Sequence, residues 1–137
     1  MVLTQGDSKI RVLIVDDHEL TRLGLQVLIS KEKNLEVVDV AANGKEGLEK
    51  VEKYRPDVVI LDLQMPILDG LSAATKIKQL APQTKIIAYT SVDDPQIEVM
   101  SQTAPIDNFC PKDITSQDLI ALIRSHGKAI NIDRVSN

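Results

Sequence analysis

A doubly wound α/β sheet is the fold class this sequence predicts, and three observations predict it. Short aliphatic runs alternate with amphipathic stretches along most of the chain. One run, Val58 to Leu61, is apolar at every position, as a strand buried on both faces of a parallel sheet requires. That run stops on a carboxylate, Asp62, and polar groups follow other runs in the same way. Five βα units in alternation imply a parallel sheet covered on both faces by right-handed crossovers.

Ile10 to Val15 reads as the first strand. Leu20, Leu23, Val27 and Leu28 follow at helical spacing to about Lys31 and are the expected apolar stripe of the first helix. Leu35 to Ala41 is the second strand, marked as more exposed by Glu36 and Asp39. Asn43 with Glu46 three residues on has the spacing of a helix start; Leu48 and Val51 give that helix its apolar side, and Pro56 closes it. Val58 to Leu61 is the third strand, and Leu71, Ala74, Ile77 and Ala81 mark the helix after it. Lys85 to Tyr89 is the fourth strand. Asp94-Pro95 is a cap followed by proline at the first helical position, and Pro105 ends that helix no later than Ala104. Asn108 to Cys110 is a short fifth strand. Pro111 cannot donate to a ladder, so this strand lies at a sheet edge or stops there. Thr115 and Asp118 cap a last helix carrying Leu119, Ile120, Leu122 and Ile123.

With 137 residues, 43% hydrophobic and 26% charged, the chain suits one globular domain that buries roughly two-thirds of its unfolded surface. The single cysteine, Cys110, excludes an internal disulfide and fits a reducing cytoplasm. No apolar run approaches the ~20 residues of a membrane helix, and the N-terminus lacks a signal-peptide core. A soluble cytoplasmic protein is expected. A net charge of −4 and 2% aromatic residues argue against a nucleic-acid-binding surface or a base-stacking platform on this chain.

Doubly wound sheets place their sites beyond the carboxyl ends of their strands. Asp16 and Asp17 follow the first strand, Asp62 the third, Thr90 and Ser91 the fourth, and Lys112 the fifth. Each has an ordinary reading alone: turn and cap residues, an Asx turn, a turn hydroxyl, a solvated lysine. Together they share one rim. Three clustered carboxylates raise one another's pKa values unless a cation sits among them. Carboxylate oxygens with no His or Cys nearby suit a hard ion such as Mg²⁺, which also binds phosphate oxygens. His18 is a competing ligand candidate and reads better as a surface or packing residue. A carboxylate beside such a cation can act as a nucleophile toward phosphorus, with Lys112 and Thr90 on the new phosphoryl oxygens.

Asp16-Asp17, the run Asp62-Leu-Gln-Met-Pro66 with Gly70, Thr90, and Phe109-Cys-Pro-Lys112 together resemble the receiver domain of bacterial two-component response regulators. The resemblance covers about Ile10 to His126, and the segment VDDHELTRLGL with the ending PKD is most similar to the NarL/FixJ branch, mostly transcription factors. It implies a flavodoxin-like sheet in strand order 2-1-3-4-5. Asp62 is then the phosphoacceptor for a sensor histidine kinase. Mg²⁺ is held by Asp17, Asp62 and the backbone carbonyl of Gln64, with Asp16 acting directly or through water. Lys112 and Thr90 contact the phosphoryl group, and Thr90 with Phe109 forms the switch. Such a domain is not an enzyme beyond its own phosphotransfer and dephosphorylation, can homodimerise on activation, and touches DNA only through an attached output domain. Residues 1–9 are then an N-terminal extension, 10–126 the receiver, and 127–137 a tail or linker toward a helix-turn-helix domain.

Two departures stand out: Ala104 to Asn108 replaces the family's usual small, glycine-containing turn, and Pro111 precedes Lys112 while Asp113 follows it. Other readings lack residues they need. An aspartyl-nucleophile phosphohydrolase of the haloacid-dehalogenase kind needs a second acid two residues on, where this chain has Gln64. A nucleotide-binding module needs a glycine-rich fingerprint that Gly44 and Gly47 do not supply. A stand-alone receiver acting through protein contacts is the remaining alternative.

Overall fold

Aliphatic runs bounded by turn residues become the strands of one sheet. The computed structural model describes residues 8–65, 70–91 and 105–136, with side chains as far as Gly127. Strands β1 (Ile10–Val15), β2 (Leu35–Ala41), β3 (Val58–Leu61), β4 (Lys85–Thr90) and β5 (Asn108–Pro111) are all parallel, in the order β2-β1-β3-β4-β5. Among the described residues the helices are α1 (Glu19–Ser30), α2 (Gly44–Tyr54), α3 (Gly70–Leu80) and α4 (Ser116–Ser136). The flavodoxin-like order expected from the resemblance is the observed one. The helix expected from Asp94-Pro95 to Ala104 lies outside the described residues, as do Pro66 and Asp69. Among the described residues, no helix is long and apolar enough to cross a membrane.

Burial follows strand position. Central β3 is buried at every residue, whereas edge strands β2 and β5 are mostly half-exposed, so Pro111 sits at an edge as its missing N–H demands. Alternate strand residues feed opposite faces. Leu13, Val15, Val59, Leu61, Ile86 and Ala88 pack under α2 and α3. Val12, Ile14, Val58, Ile60 and Ile87 pack under α1 and α4. A bulge between Val12 and Leu13 lets the longer β2 pair with β1 along its whole length.

Caps mark the starts of α2 and α4. Asn43 accepts a hydrogen bond from Glu46 N at 2.9 Å, and Glu46 Oε1 accepts one from Ala42 N at 3.0 Å, a reciprocal cap like the one its spacing predicts. Thr115 Oγ1 accepts from Asp118 N at 3.1 Å. One expectation needs correction. The buried stripe of α1 is Leu25 and Ile29, while Leu20, Leu23 and Val27 face solvent at 83%, 49% and 56% exposure; Leu28 is half-buried against the core. The helix carries apolar residues on two sides, and the sheet takes the other one. The last helix runs on past His126 to Ser136. Gly127 allows its close approach to β1, since a Cβ there would lie 2.5 Å from Ile10 Cγ2.

Candidate functional site

The backbone ladder delivers the polar residues to one rim. It continues one residue past β1, β3 and β5: Asp16 N donates to Ala41 O at 3.0 Å, Asp62 N to Val15 O at 2.9 Å, and Lys112 N to Thr90 O at 2.8 Å. Val15 pairs with Leu61, and Leu61 with Ala88, so Asp16 and Asp62 leave neighbouring strands at one level. Behind them, Gly70 opens α3 against the turn after β3. A Cβ on Gly70 would lie 2.3 Å from Leu63 Cα and 2.5 Å from Asp62 O. Only glycine permits that approach without moving backbone, and it fixes the main chain that carries the acid.

Asp16, Asp62 and Thr90 are buried; Asp17 is partly exposed. One oxygen each of Asp16, Asp17 and Asp62, together with a His18 ring nitrogen, all lie within 4.8 Å of one another. Lys112 Nζ stands 3.2 Å from Asp16 Oδ2 and 3.6 Å from Asp62 Oδ2. Asp62 Oδ1 accepts a hydrogen bond from Gln64 N at 3.0 Å. The structure thus brings together Asp16, Asp17, Asp62 and Lys112 as the shared rim predicts, with Gln64 in the turn beside them. Thr90 is buried on the same rim, and half-buried Phe109 packs against the α2–α3 core.

Three carboxylates around one ammonium leave the cluster short of positive charge. Burial pushes the Asp62 carboxyl up to about 6, with the Asp16 charge and the Asp17 contact adding to the rise and the Gln64 N–H and Lys112 opposing it. Asp16 Oδ2, Asp62 Oδ2 and Thr90 Oγ1 are buried without a hydrogen-bond partner; the Lys112 contacts to the two acids are ion pairs that lack hydrogen-bond geometry. Buried polar atoms are ordinarily satisfied, so three orphans on one rim call for a missing partner. A hard divalent cation among the carboxylates, and an anionic group with oxygens for Thr90 and Lys112, are partners the donor set fits.

Two contributors, Arg22 and Tyr89, lie beyond the residues the sequence singles out, and His18, the competing ligand candidate, joins the acids. His18 Nδ1 lies 3.0 Å from both Asp16 Oδ1 and Asp17 Oδ1, so it belongs to the site although it reads as a surface or packing residue. Arg22 Nη1 donates to Asp16 O at 2.7 Å; its place on the first turns of α1 was the available signal. Tyr89 donates from its hydroxyl to Lys112 O at 3.2 Å, and its ring lies 5.9 Å from Lys112 Nζ, fixing the stretch that carries the lysine.

Comparison with known proteins adds a family. The model of the response regulator receiver domain matches residues 12–124. Response regulator protein VraR of Staphylococcus aureus is 34% identical over 123 residues, covering 88% of this chain and 59% of VraR. The chain therefore spans about three-fifths of the length of that relative. Among solved structures, the response regulator domain of Thermotoga maritima CheB is 30% identical with a TM-score of 0.79, covering 88% of this chain and 97% of that one. The signal receiver domain assigned to the response regulator NarL of Mycobacterium tuberculosis is 29% identical with a TM-score of 0.82, covering 88% and 98%. With its sheet order, its acidic rim and a family match over most of its length, the chain belongs to the response regulator receiver domains of two-component systems.

Proposed function

We propose that this receiver accepts a phosphoryl group on Asp62 from a partner histidine kinase and so acts as a phosphorylation-dependent switch. The observation that carries the reading is the buried Asp62 Oδ2, which lacks a hydrogen-bond partner and lies 3.6 Å from Lys112 Nζ. The Asp62 carboxylate attacks phosphorus through one of its oxygens and keeps the other for a cation. The new P–O bond forms as the P–N bond of a phosphohistidine breaks, and the imidazole leaves with the electron pair. Lys112 holds the phosphoryl oxygens by charge, and the Thr90 hydroxyl donates to one of them. Asp17, Asp62 and the Gln64 carbonyl would hold Mg²⁺, with Asp16 acting directly or through water, and the ion would supply the positive charge the acids lack. Beyond its own phosphotransfer and dephosphorylation, the domain has no enzymatic role.

The switch follows from the same groups. A phosphoryl group on Asp62 offers acceptor oxygens to the Thr90 hydroxyl, and drawing Thr90 toward them frees room for Phe109 to repack. Coupling of ~1–3 kcal/mol is enough to change a partner's affinity roughly 5–150-fold. Residues 10–126 are the receiver in this account, 1–9 an N-terminal extension and 127–137 a segment toward an output domain. The chain's coverage of only 59% of VraR and its likeness to the NarL receiver favour a DNA-binding output in a cytoplasmic transcription regulator that homodimerises when activated. A receiver acting alone through protein contacts is the alternative, and the full reading frame decides between them.

Intact mass after incubation with acetyl phosphate and Mg²⁺ tests the proposal. One added phosphoryl group is expected in the wild type, and Asp62→Asn should abolish most of it. Undiminished labelling of Asp62→Asn would falsify the assignment.

A further inference from the structure

We infer that His18 is a metal ligand of the acidic site, and that it makes the site a receptor for borderline divalent ions such as Ni²⁺ as well as for Mg²⁺. The inference rests on the reading of the acid cluster as a cation site and adds a nitrogen donor to it. The spacing carries it. Donors ~2.1 Å from an octahedral ion lie ~3.0 Å apart when adjacent and ~4.2 Å apart when opposite. His18 Nδ1 is 3.0 Å from Asp16 Oδ1, 3.0 Å from Asp17 Oδ1 and 4.0 Å from Asp62 Oδ2. The ring nitrogen thus stands at two adjacent-donor separations and close to one opposite-donor separation from three carboxylates on two strand ends.

A hydrogen bond alone accounts for less of this. One ring N–H aligns with one oxygen, and only the Asp16 contact has hydrogen-bond geometry. The Asp17 oxygen at the same distance is left as an ion-pair contact. An ion between the three donors satisfies all of them together. A second, independent observation points the same way: Asp62, at 1% exposure, keeps a carboxylate oxygen without a hydrogen-bond partner, and it is this oxygen that faces His18.

The donor atom decides the ion. Carboxylate and carbonyl oxygens suit Mg²⁺, whereas an imidazole nitrogen suits Ni²⁺, Zn²⁺ and Cu²⁺. A site with only the four oxygen donors of Asp16, Asp17, Asp62 and Gln64 has little means to favour these ions beyond their general order of affinity. With His18 it gains one. His18 is 63% exposed, so its removal leaves the core packing untouched, and its contribution can be read directly.

Calorimetric titration of the 137-residue chain with Ni²⁺ and separately with Mg²⁺, at one fixed pH, tests this on wild type, His18→Gln and His126→Gln. His18→Gln should weaken Ni²⁺ binding by about tenfold or more and Mg²⁺ binding by much less, while His126→Gln changes neither. Proton NMR of the Ni²⁺-loaded wild type should show a hyperfine-shifted imidazole N–H resonance that is absent from His18→Gln. Equal Ni²⁺ affinity in wild type and His18→Gln, with Mg²⁺ still bound, overturns the role of His18 alone. Failure of the wild type to bind either ion overturns the cation-site reading and this inference with it.

Discussion

Strand β3 has a buried aspartate at each end, and the two are opposites. Asp57 precedes the strand at 5% exposure and Asp62 follows it at 1%. Asp57 is built into the sheet: its Oδ2 accepts from Arg11 N at 2.9 Å, its N–H donates to Arg11 O at 2.8 Å, and its carbonyl accepts from Lys85 N at 2.9 Å. It ties the entry of β3 to β1 on one side and to β4 on the other. Asp62 is held by its backbone in the same way but keeps a carboxylate oxygen without a hydrogen-bond partner, beside two further acids. A buried acid is therefore no sign of chemistry in itself. A buried acid that the fold positions and leaves unsatisfied is one.

Substitution at the two ends should have effects of opposite sign. Asp57→Ala removes the acceptor of the Arg11 N–H and should cost on the order of 3 kcal/mol, read as a lower melting temperature. Asp62→Asn, measured without divalent ions at neutral pH, should instead stabilise the chain by about 2 kcal/mol, because it removes a desolvated charge from an acidic cluster. Two destabilised variants would erase the distinction drawn between the ends.

The pH dependence sharpens it. The Asp62 carboxyl is raised from 3.8 to about 6, so between those values the folded chain binds a proton that the unfolded chain has released. Stability of the metal-free protein should accordingly fall as pH rises from about 4 through about 6, then level off, with a loss on the order of 2–3 kcal/mol. Asp62→Asn should flatten that part of the profile. Denaturant melts at several pH values check this.

Much of the molecule was legible because its strongest signals are local. The bounds of β1, β2 and β3 follow from aliphatic runs closed by Asp, Pro, Asn or Gly, and the rim acids follow from where those runs end. The face of α1 was not legible. Leu20, Leu23 and Val27 keep helical spacing as Leu25 and Ile29 do, and nothing short of the sheet decides which stripe is covered. The place of His18 depends on a ring orientation at the start of α1, and the partners of Asp57 depend on a register between strands far apart in sequence. Spacing encodes neither. The continuation of α4 beyond His126 was masked by Gly127, which reads as a helix stop, and by the polar run after it.

The smallest effect concerns Thr90. Its Oγ1 is buried without a hydrogen-bond partner, so Thr90→Val should change stability by less than about 1 kcal/mol, or raise it slightly. The same variant should blunt the phosphorylation-dependent change in hydrogen exchange at Phe109 to Lys112. An unaltered exchange response in Thr90→Val would remove Thr90 from the switch and leave Lys112 to carry it.

The contrast between the ends of β3 is tested most directly by carboxyl ¹³C titration of Asp62, assigned by comparison with Asp62→Asn, in the absence and presence of Mg²⁺. Without the ion Asp62 should titrate near 6. With Mg²⁺ its midpoint should fall well below that, because the cation stabilises the carboxylate the burial disfavours. An Asp62 that titrates in the ordinary carboxylate range and ignores Mg²⁺ would contradict the account, leaving it a structural acid like Asp57.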